Sequence, residues 1–154
     1  MIYLLRAKGD NMFIFLDIDG VLNTSSDWGK LYTVNKACLQ AFCEYVSKIK
    51  NCKIVFTSSW RRGYGVNDNP HLAEIIKELR KAGVVFFDLT KTSPNDDREK
   101  EILHYLKWHE KDEFLVVDDD KSYYSELVGN VYFTNPNTGF AKADAKKIGR
   151  RKQV

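Results

Sequence analysis

The sequence predicts an α/β fold, a doubly wound, Rossmann-like and mostly parallel sheet with helices on both faces. Short apolar runs typical of buried strands alternate with longer segments of helical spacing, and turn residues separate the two. The length of 154 residues and the hydrophobic content of 44% suit one core, so we expect a single domain over residues 1–154. The predicted strands cover residues 13–16, 53–56, 84–87, 114–117 and 131–133.

The segments between and after these strands have the apolar spacing of helices. Asn69 and Pro70 suit the start of the second helix, and Gly83 suits its end. The third helix is expected to begin within residues 94–97, where acids favour a helix start. The predicted helices cover residues 34–50, 70–82, 94–108 and 138–148.

Charge is balanced over most of the chain and basic at its C-terminal end. The net charge is +3 and charged residues make up 29%, which argues against disorder and against a strongly nucleic-acid-coating protein. Residues 142–154 form a basic tail, which is either a contact for phosphates or nucleic acid or the solvated end of a last helix. At the other terminus, residues 1–11 are a possible appended edge segment. The basic side chains of the tail are Lys142, Lys146, Lys147, Arg150, Arg151 and Lys152.

The sequence also bears on where the protein works. No apolar stretch approaches the roughly 18–20 residues that cross a bilayer, so we expect no membrane partner. The three cysteines are odd in number and include no C-x-x-C pair, which favours a reducing compartment over a disulfide framework or a zinc site. We therefore expect a cytoplasmic location.

Acidic and hydroxyl side chains follow three of the predicted strands. Asp17 and Asp19 follow the first strand, Thr57 and Ser58 the second, and three aspartates at 118–120 the fourth. In doubly wound sheets, ligands bind outside the carboxyl ends of the strands. Carboxylates that meet there repel one another unless a cation neutralises them, and a set of oxygen ligands suits Mg²⁺ rather than zinc. The sequence therefore predicts a Mg²⁺ site and, because such sites usually bind a substrate phosphate, phosphoryl chemistry.

These residue types are sufficient for phosphate ester hydrolysis. One aspartate can attack phosphorus to form an aspartyl-phosphate, and an acid two residues away, on the same side of an extended chain, can transfer the protons. Thr57 and Ser58 can donate hydrogen bonds to phosphoryl oxygens. A cation must balance the charge of the transition state, and Arg98 is the preferred candidate, with Lys100 and Lys91 as fallbacks.

In order along the chain, four motifs resemble those of the haloacid dehalogenase-like (HAD) hydrolase superfamily. The resemblance implies that Asp17 is the nucleophile and Asp19 the general acid/base, with Thr57 and Arg98 in supporting catalytic roles. It also implies that Mg²⁺ is held by the Asp17 side chain, the Asp19 carbonyl and a fourth-motif acid, either Asp118 or Asp119. The motifs are D-x-D-G-V from Asp17, IVFTSSW with Thr57, REKEI with Arg98, and FLVVDDD with Asp118 and Asp119.

The resemblance extends to one branch of this superfamily. Dehalogenase members lack the second acid, so Asp19 favours hydrolysis of phosphate esters or anhydrides. DIDGVLNT, SSWR, REKEI and VVDDD are similar to the small HAD domains of Swiss Army Knife RNA-repair proteins. The intervals between motifs have no room for a cap domain, so an open site is expected. Ser58, Trp60 and Arg61 are candidate substrate-binding residues; alternatively, Trp60 packs under the loop and the arginine is solvated.

We therefore expect a Mg²⁺-dependent phosphomonoesterase that acts through an aspartyl-phosphate. Its expected partner is a phosphorylated substrate, either a small molecule such as a nucleotide or a nucleic-acid end. The alternatives are a receiver-like phospho-signalling module, which shares an acidic Mg²⁺ site, and a phosphoprotein phosphatase.

Overall fold

The computed structural model describes residues 11–153, which contain a parallel five-stranded sheet. The strand order is β3-β2-β1-β4-β5, so the chain builds the sheet outward from β1 on one side and then returns to its other side. The order reverses between β1 and β4, the position at which such sheets bind ligands. The strands are β1 (Met12–Leu16), β2 (Cys52–Phe56), β3 (Phe86–Leu89), β4 (Glu113–Asp118) and β5 (Val131–Phe133).

Helices cover both faces of the sheet, which confirms the predicted doubly wound fold. Helices α1, α2 and α4 share one apolar cluster with Ile14, Leu16 and Ile54, and α3 shares the other with Phe13 and Phe15. The helices are α1 (Lys36–Ser47), α2 (Ala73–Lys81), α3 (Arg98–Leu106) and α4 (Lys142–Gln153).

Strand β1 is the centre of the core. All five of its residues are buried, because β2 and β4 flank it and helices cover its two faces. Each fully buried Phe, Ile or Leu side chain contributes about 1.5–3 kcal/mol through removal of its surface from water. This environment explains why the apolar run before Asp17 is continuous rather than alternating.

The second helix and the third strand both begin later than predicted. Asn69 accepts a hydrogen bond from the His71 N–H (2.8 Å) and donates to the Trp60 carbonyl (3.0 Å), so it holds a turn that precedes α2. Val84 is buried, but its N–H donates to Leu79 O (3.1 Å) at the end of α2, and the strand begins only at Phe86. An apolar residue in a buried turn has the same sequence signal as one in a strand.

The last helix also begins later than predicted and continues into the basic tail. Helix α4 starts at Lys142 rather than at 138, and Asp144 accepts a hydrogen bond from the Ala141 N–H (2.7 Å) at its start. Arg151 donates to the carbonyls of Val131 (2.9 Å) and Gly129 (3.1 Å), which attaches the end of the helix to β5. The exposed basic side chains of this helix include Lys142, Lys146, Lys147 and Arg150.

The carboxyl edge of the sheet is open in the described part of the chain. Between β1 and α1 the chain contains a short 3-10 turn (Ser25–Asp27), and between β2 and β3 it contains the turn Ser59–Arg61 and helix α2. No cap domain is present in either interval, as predicted. None of the helices within residues 11–153 combines the length and apolar character needed to cross a bilayer. Of the predicted edge segment 1–11, residues 1–10 lie outside the described residues.

Candidate active site

Three aspartates meet at the point where the strand order reverses. Asp17 follows β1 and its N–H donates to Val117 O (3.0 Å) in β4, the strand that ends at Asp118. One carboxylate oxygen each from Asp17, Asp118 and Asp119 lies within 4.8 Å of the others. The parallel pairing of β1 with β4 thus brings together residues that are a hundred positions apart in the sequence.

Arg98 lies between two of these aspartates. Its Nη1 is 3.2 Å from Asp17 Oδ1 and 2.8 Å from Asp118 Oδ2. Asp97 caps helix α3 by accepting a hydrogen bond from the Lys100 N–H (3.1 Å), which places Arg98 in the first turn. Burial disfavours the charged guanidinium, but the attraction of the two aspartates outweighs it and raises the pKa of Arg98. Lys100, whose side chain is 80% exposed, lies beside Asp97 instead.

Asp118 is fully buried and both of its oxygens accept two hydrogen bonds. Oδ1 accepts from the N–H groups of Asp119 (2.7 Å) and Asp120 (3.1 Å), and Oδ2 accepts from Arg98 and from the Tyr124 hydroxyl (2.6 Å). These bonds fix the loop that carries Asp119. Tyr124 was missed from the sequence because its distance from the motif gives no signal for this contact.

Gly20 is required for the placement of Asp119. Its φ is +83°, and a Cβ at this position would lie 2.3 Å from Asp119 Oδ2. Thr134, just after β5, donates its hydroxyl to Gly20 O (2.7 Å) and its N–H to Asp118 O (2.9 Å), so it joins the two acidic loops. The glycine of the D-x-D-G motif therefore leaves space for a carboxylate from another strand.

The electrostatics of this cluster favour a bound cation. Burial, followed by the Asp118 charge, raises the pKa of Asp17 well above its ordinary value, although Arg98 partly opposes the shift. Burial and the Asp118 charge likewise raise the pKa of Asp119 to about 7. Oxygen ligands that resist ionisation in the absence of a cation are the donor set that suits a hard divalent ion, so the residues present fit Mg²⁺.

The end of β2 supplies a buried hydroxyl at the same edge of the sheet as Asp17. The Thr57 N–H donates to Leu16 O (3.0 Å), while its Oγ1 is buried and has no hydrogen-bond partner among the described residues. A buried hydroxyl without a partner costs about 1–3 kcal/mol, so Thr57 Oγ1 retains the capacity to donate a hydrogen bond. Ser58 is also buried, and its Oγ accepts the Trp60 N–H (3.1 Å) to stabilise the turn that follows.

The Asp19 carboxylate lies outside the three-aspartate cluster and is held by two donors. Oδ1 accepts from Asn23 Nδ2 (2.9 Å) and Oδ2 accepts from the Trp60 indole N–H (3.2 Å). Asn23 is buried and also accepts a hydrogen bond from the Gly20 N–H (2.9 Å). Trp60 is 3% exposed, so it packs under the loop and is not free to bind substrate, as the alternative prediction had it. Asn23 was not predicted, since one asparagine in a loop gives no distinctive signal.

Arg61 is buried rather than solvated, and all three of its guanidinium nitrogens bind protein oxygens. Nη1 donates to the carbonyls of Thr57 (2.6 Å) and Ser58 (2.8 Å), and Nε donates to the carbonyl of Thr90 (2.9 Å). Nη2 forms an ion pair with Glu101 of α3 (2.7 Å). The structure thus corrects the predicted contact with substrate: the side chain braces the turn after β2 against the helix that carries Arg98.

Asp17, Asp19, Arg98 and Asp119 line a depression of about 390 Å³ at the carboxyl edge of the sheet. Its size is at the lower end of the range for ligand pockets. Trp28 and Tyr123 contribute aromatic side chains to its wall, and the ring of Tyr123 lies 4.4 Å from the guanidinium carbon of Arg98. The lining residues are Asp17, Asp19, Trp28, Ser59, Arg98, Asp119, Asp120 and Tyr123.

A sequence model of one protein family matches residues 13–145, which include all four motifs. Its description is "HAD domain in Swiss Army Knife RNA repair proteins". The chain belongs to this family. No curated protein matches the chain. Membership agrees with the parallel sheet and the absence of a cap in the described residues, and it indicates that this HAD domain is a hydrolase of the phosphatase type.

Proposed function

We propose that this HAD domain is a Mg²⁺-dependent phosphomonoesterase that acts through an aspartyl-phosphate on Asp17. The observation that supports it best is the contact of Arg98 with Asp17 at the edge of the sheet where β2 is followed by Thr57, whose hydroxyl is unpartnered among the described residues. These groups are a nucleophile, a cation and a donor for phosphoryl oxygens. Their arrangement suits attack on a phosphate that enters the depression.

The first half of the reaction transfers the phosphoryl group to the enzyme. Asp17 attacks phosphorus through a carboxylate oxygen, and the bond from phosphorus to the leaving oxygen breaks. Asp19 gives its proton to that oxygen, so the leaving group departs as a neutral alcohol. Arg98 balances the negative charge of the phosphoryl oxygens, while Thr57 donates a hydrogen bond to one of them.

The second half releases inorganic phosphate. Asp19, now a carboxylate, accepts a proton from water, and the resulting hydroxide attacks phosphorus. The bond between phosphorus and Asp17 breaks, which restores both aspartates to their starting forms. The hydrogen bonds from Asn23 and Trp60 hold the Asp19 carboxylate in one orientation during both proton transfers.

Asp17, Asp119 and the backbone carbonyl of Asp19 would hold the Mg²⁺. We favour Asp119 over Asp118 as the fourth-motif ligand because each Asp118 oxygen already accepts two hydrogen bonds. When bound, the ion supplies positive charge that keeps the carboxylates ionised and offsets the charge of a substrate phosphate.

Nucleic-acid ends or nucleotides are the proposed substrates. The site lacks a cap in the described residues, and the family is described by its occurrence in RNA repair proteins. A contact of nucleic acid with the basic helix α4 stays a prediction. Arg151 of this helix binds the first residue of β5, so it lies at the edge of the sheet opposite the aspartates. The cysteine pattern supports a cytoplasmic location.

The test is phosphate release from p-nitrophenyl phosphate and from phosphorylated oligonucleotides with and without Mg²⁺. We expect Asp17→Asn to abolish activity while circular dichroism shows an intact fold, and the exposed Asp68→Asn to serve as an active control. Retained activity in Asp17→Asn would remove Asp17 as the nucleophile. A stable phosphoprotein without turnover would favour the receiver-like alternative.

A further inference from the structure

Trp28 combines an exposed ring with a fixed orientation. Its side chain is 45% exposed, yet its indole N–H donates to Asn23 Oδ1 (3.0 Å), the same atom that accepts the Gly20 N–H. It follows the 3-10 turn Ser25–Asp27, in which Asp27 accepts the Thr24 N–H (2.8 Å). An exposed tryptophan leaves part of its apolar ring in contact with water and gains little from core packing, so its fixed position beside the site suggests a ligand.

The depression brings the base of a terminal nucleotide within reach of Trp28. Its volume of about 390 Å³ lies in the range for small-ligand pockets, and Asp17, Arg98 and Trp28 all line it. With a phosphate held at Asp17 and Arg98, the sugar and the base that follow it extend towards the wall that Trp28 forms. Lys30, two residues further along the same loop, is exposed and can meet a backbone phosphate.

Resting on the proposed function, we propose that Trp28 is a stacking platform for the unpaired base next to the terminal phosphate of a nucleic-acid strand. Every nucleobase has a planar face, so such a platform accepts any base and does not read sequence. A base inside a duplex is covered on both faces by its neighbours, and the terminal base of a blunt end is held by its pairing partner, so an unpaired terminal base is the one free to turn onto the indole. The phosphorylated side chains of proteins other than phosphotyrosine offer no planar group at this distance.

The test compares kcat/KM for three oligonucleotides that carry the same terminal phosphate. They have an unpaired terminal nucleotide, an abasic terminal nucleotide, or a blunt paired end. Each is measured with the wild type, Trp28→Leu, Trp28→Phe, and the matched control Trp108→Leu, whose tryptophan is 79% exposed beyond the end of α3. The preference for the unpaired over the abasic end should fall by roughly 5- to 150-fold in Trp28→Leu, the range for loss of one stacked base.

The variants Trp28→Phe and Trp108→Leu separate stacking from an indirect effect through Asn23. Trp28→Phe keeps a ring and loses the hydrogen bond, so it should keep most of the preference, and Trp108→Leu should keep all of it. Equal losses on the unpaired and abasic substrates would mean that Trp28 acts through Asn23 on Asp19, and would overturn the platform. A wild type that hydrolyses phosphotyrosine peptides well and all three oligonucleotides equally would also overturn it, while leaving the phosphatase function intact.

Absence of turnover on every substrate would instead count against the proposed function. Binding still tests the platform in that case. Fluorescence anisotropy of the labelled oligonucleotides with the Asp17→Asn variant should show tighter binding of the unpaired end than of the abasic end. The double variant Asp17→Asn, Trp28→Leu should bind the two ends equally. Equal affinities for the two ends would overturn the inference.

Discussion

The substitution Gly20→Ala tests how the acidic loops fit together. An added Cβ would lie 2.3 Å from Asp119 Oδ2, whereas ordinary contacts begin near 3.4 Å, so the carboxylate must move by about 1 Å. A misplacement of this size in an active site can reduce the rate by about 100-fold. We therefore expect weaker Mg²⁺ binding and a loss of that order in kcat/KM.

Gly63→Ala is the matched control for this experiment. Gly63 has the same φ of +83°, but no atom of residues 11–153 lies within 4 Å of the position of its Cβ. Both variants should lose about 1–2 kcal/mol in the free energy of unfolding from the left-handed alanine, and the displacement of Asp119 adds to the loss in Gly20→Ala. Urea denaturation measures this shared cost, and isothermal titration with Mg²⁺ measures the effect at the site.

The comparison between the two glycines can refute the geometry. If Gly20→Ala binds Mg²⁺ as tightly as Gly63→Ala and retains full kcat/KM, then Asp119 does not need the space beside Gly20. Asp119 would then have no role as a ligand in this position, and the third carboxylate of the site would have to be reassigned.

Three further predictions concern stability. Thr57→Val removes a buried hydroxyl that is unpartnered among the described residues, so it should raise the free energy of unfolding by about 1–3 kcal/mol in urea denaturation. It should nevertheless lower kcat/KM in phosphate-release assays. A variant that loses both stability and activity would contradict this role of Thr57. Glu101→Gln leaves the buried Arg61 without its charge partner and should lower the free energy of unfolding by about 3–5 kcal/mol. The control Arg62→Ala breaks an exposed ion pair and should lower it by less than about 1 kcal/mol in the same assay. With Mg²⁺ removed by EDTA, the free energy of unfolding should fall as pH rises from about 4 to about 7, because the raised pKa of Asp119 lets the native state bind more protons than the unfolded state does. Mg²⁺ should therefore raise the melting temperature more at pH 8 than at pH 5. An equal increase at both pH values would argue against metal binding by these acids.

Much of the site could be predicted because a parallel sheet collects its strand ends at one edge. The apolar runs located β1, β2 and β4, and the polar residues directly after them were therefore expected to meet. Asp17, Thr57 and Asp118 lie at this edge, and α3 brings Arg98 to it as well. For these residues, position relative to a strand or helix end was sufficient to indicate their location.

The remaining contacts depend on partners that are distant in sequence. Arg61 and Glu101 are 40 residues apart, and neither the motif nor the helical pattern indicates that they pair. Asn23 binds Asp19 through a loop conformation that depends on Thr33 and Trp28 as additional partners. A charged residue near a motif has the same sequence signal whether it binds substrate or supports the loop, so only the fold distinguishes the two.

The stereochemical course at phosphorus distinguishes an aspartyl-phosphate pathway from direct hydrolysis. A substrate with a chiral phosphorus, made with sulfur and oxygen isotopes, is hydrolysed and the configuration of the released thiophosphate is determined. Attack by Asp17 followed by attack of water comprises two inversions, so we expect net retention. Net inversion would show a single direct attack by water and would contradict the aspartyl-phosphate intermediate.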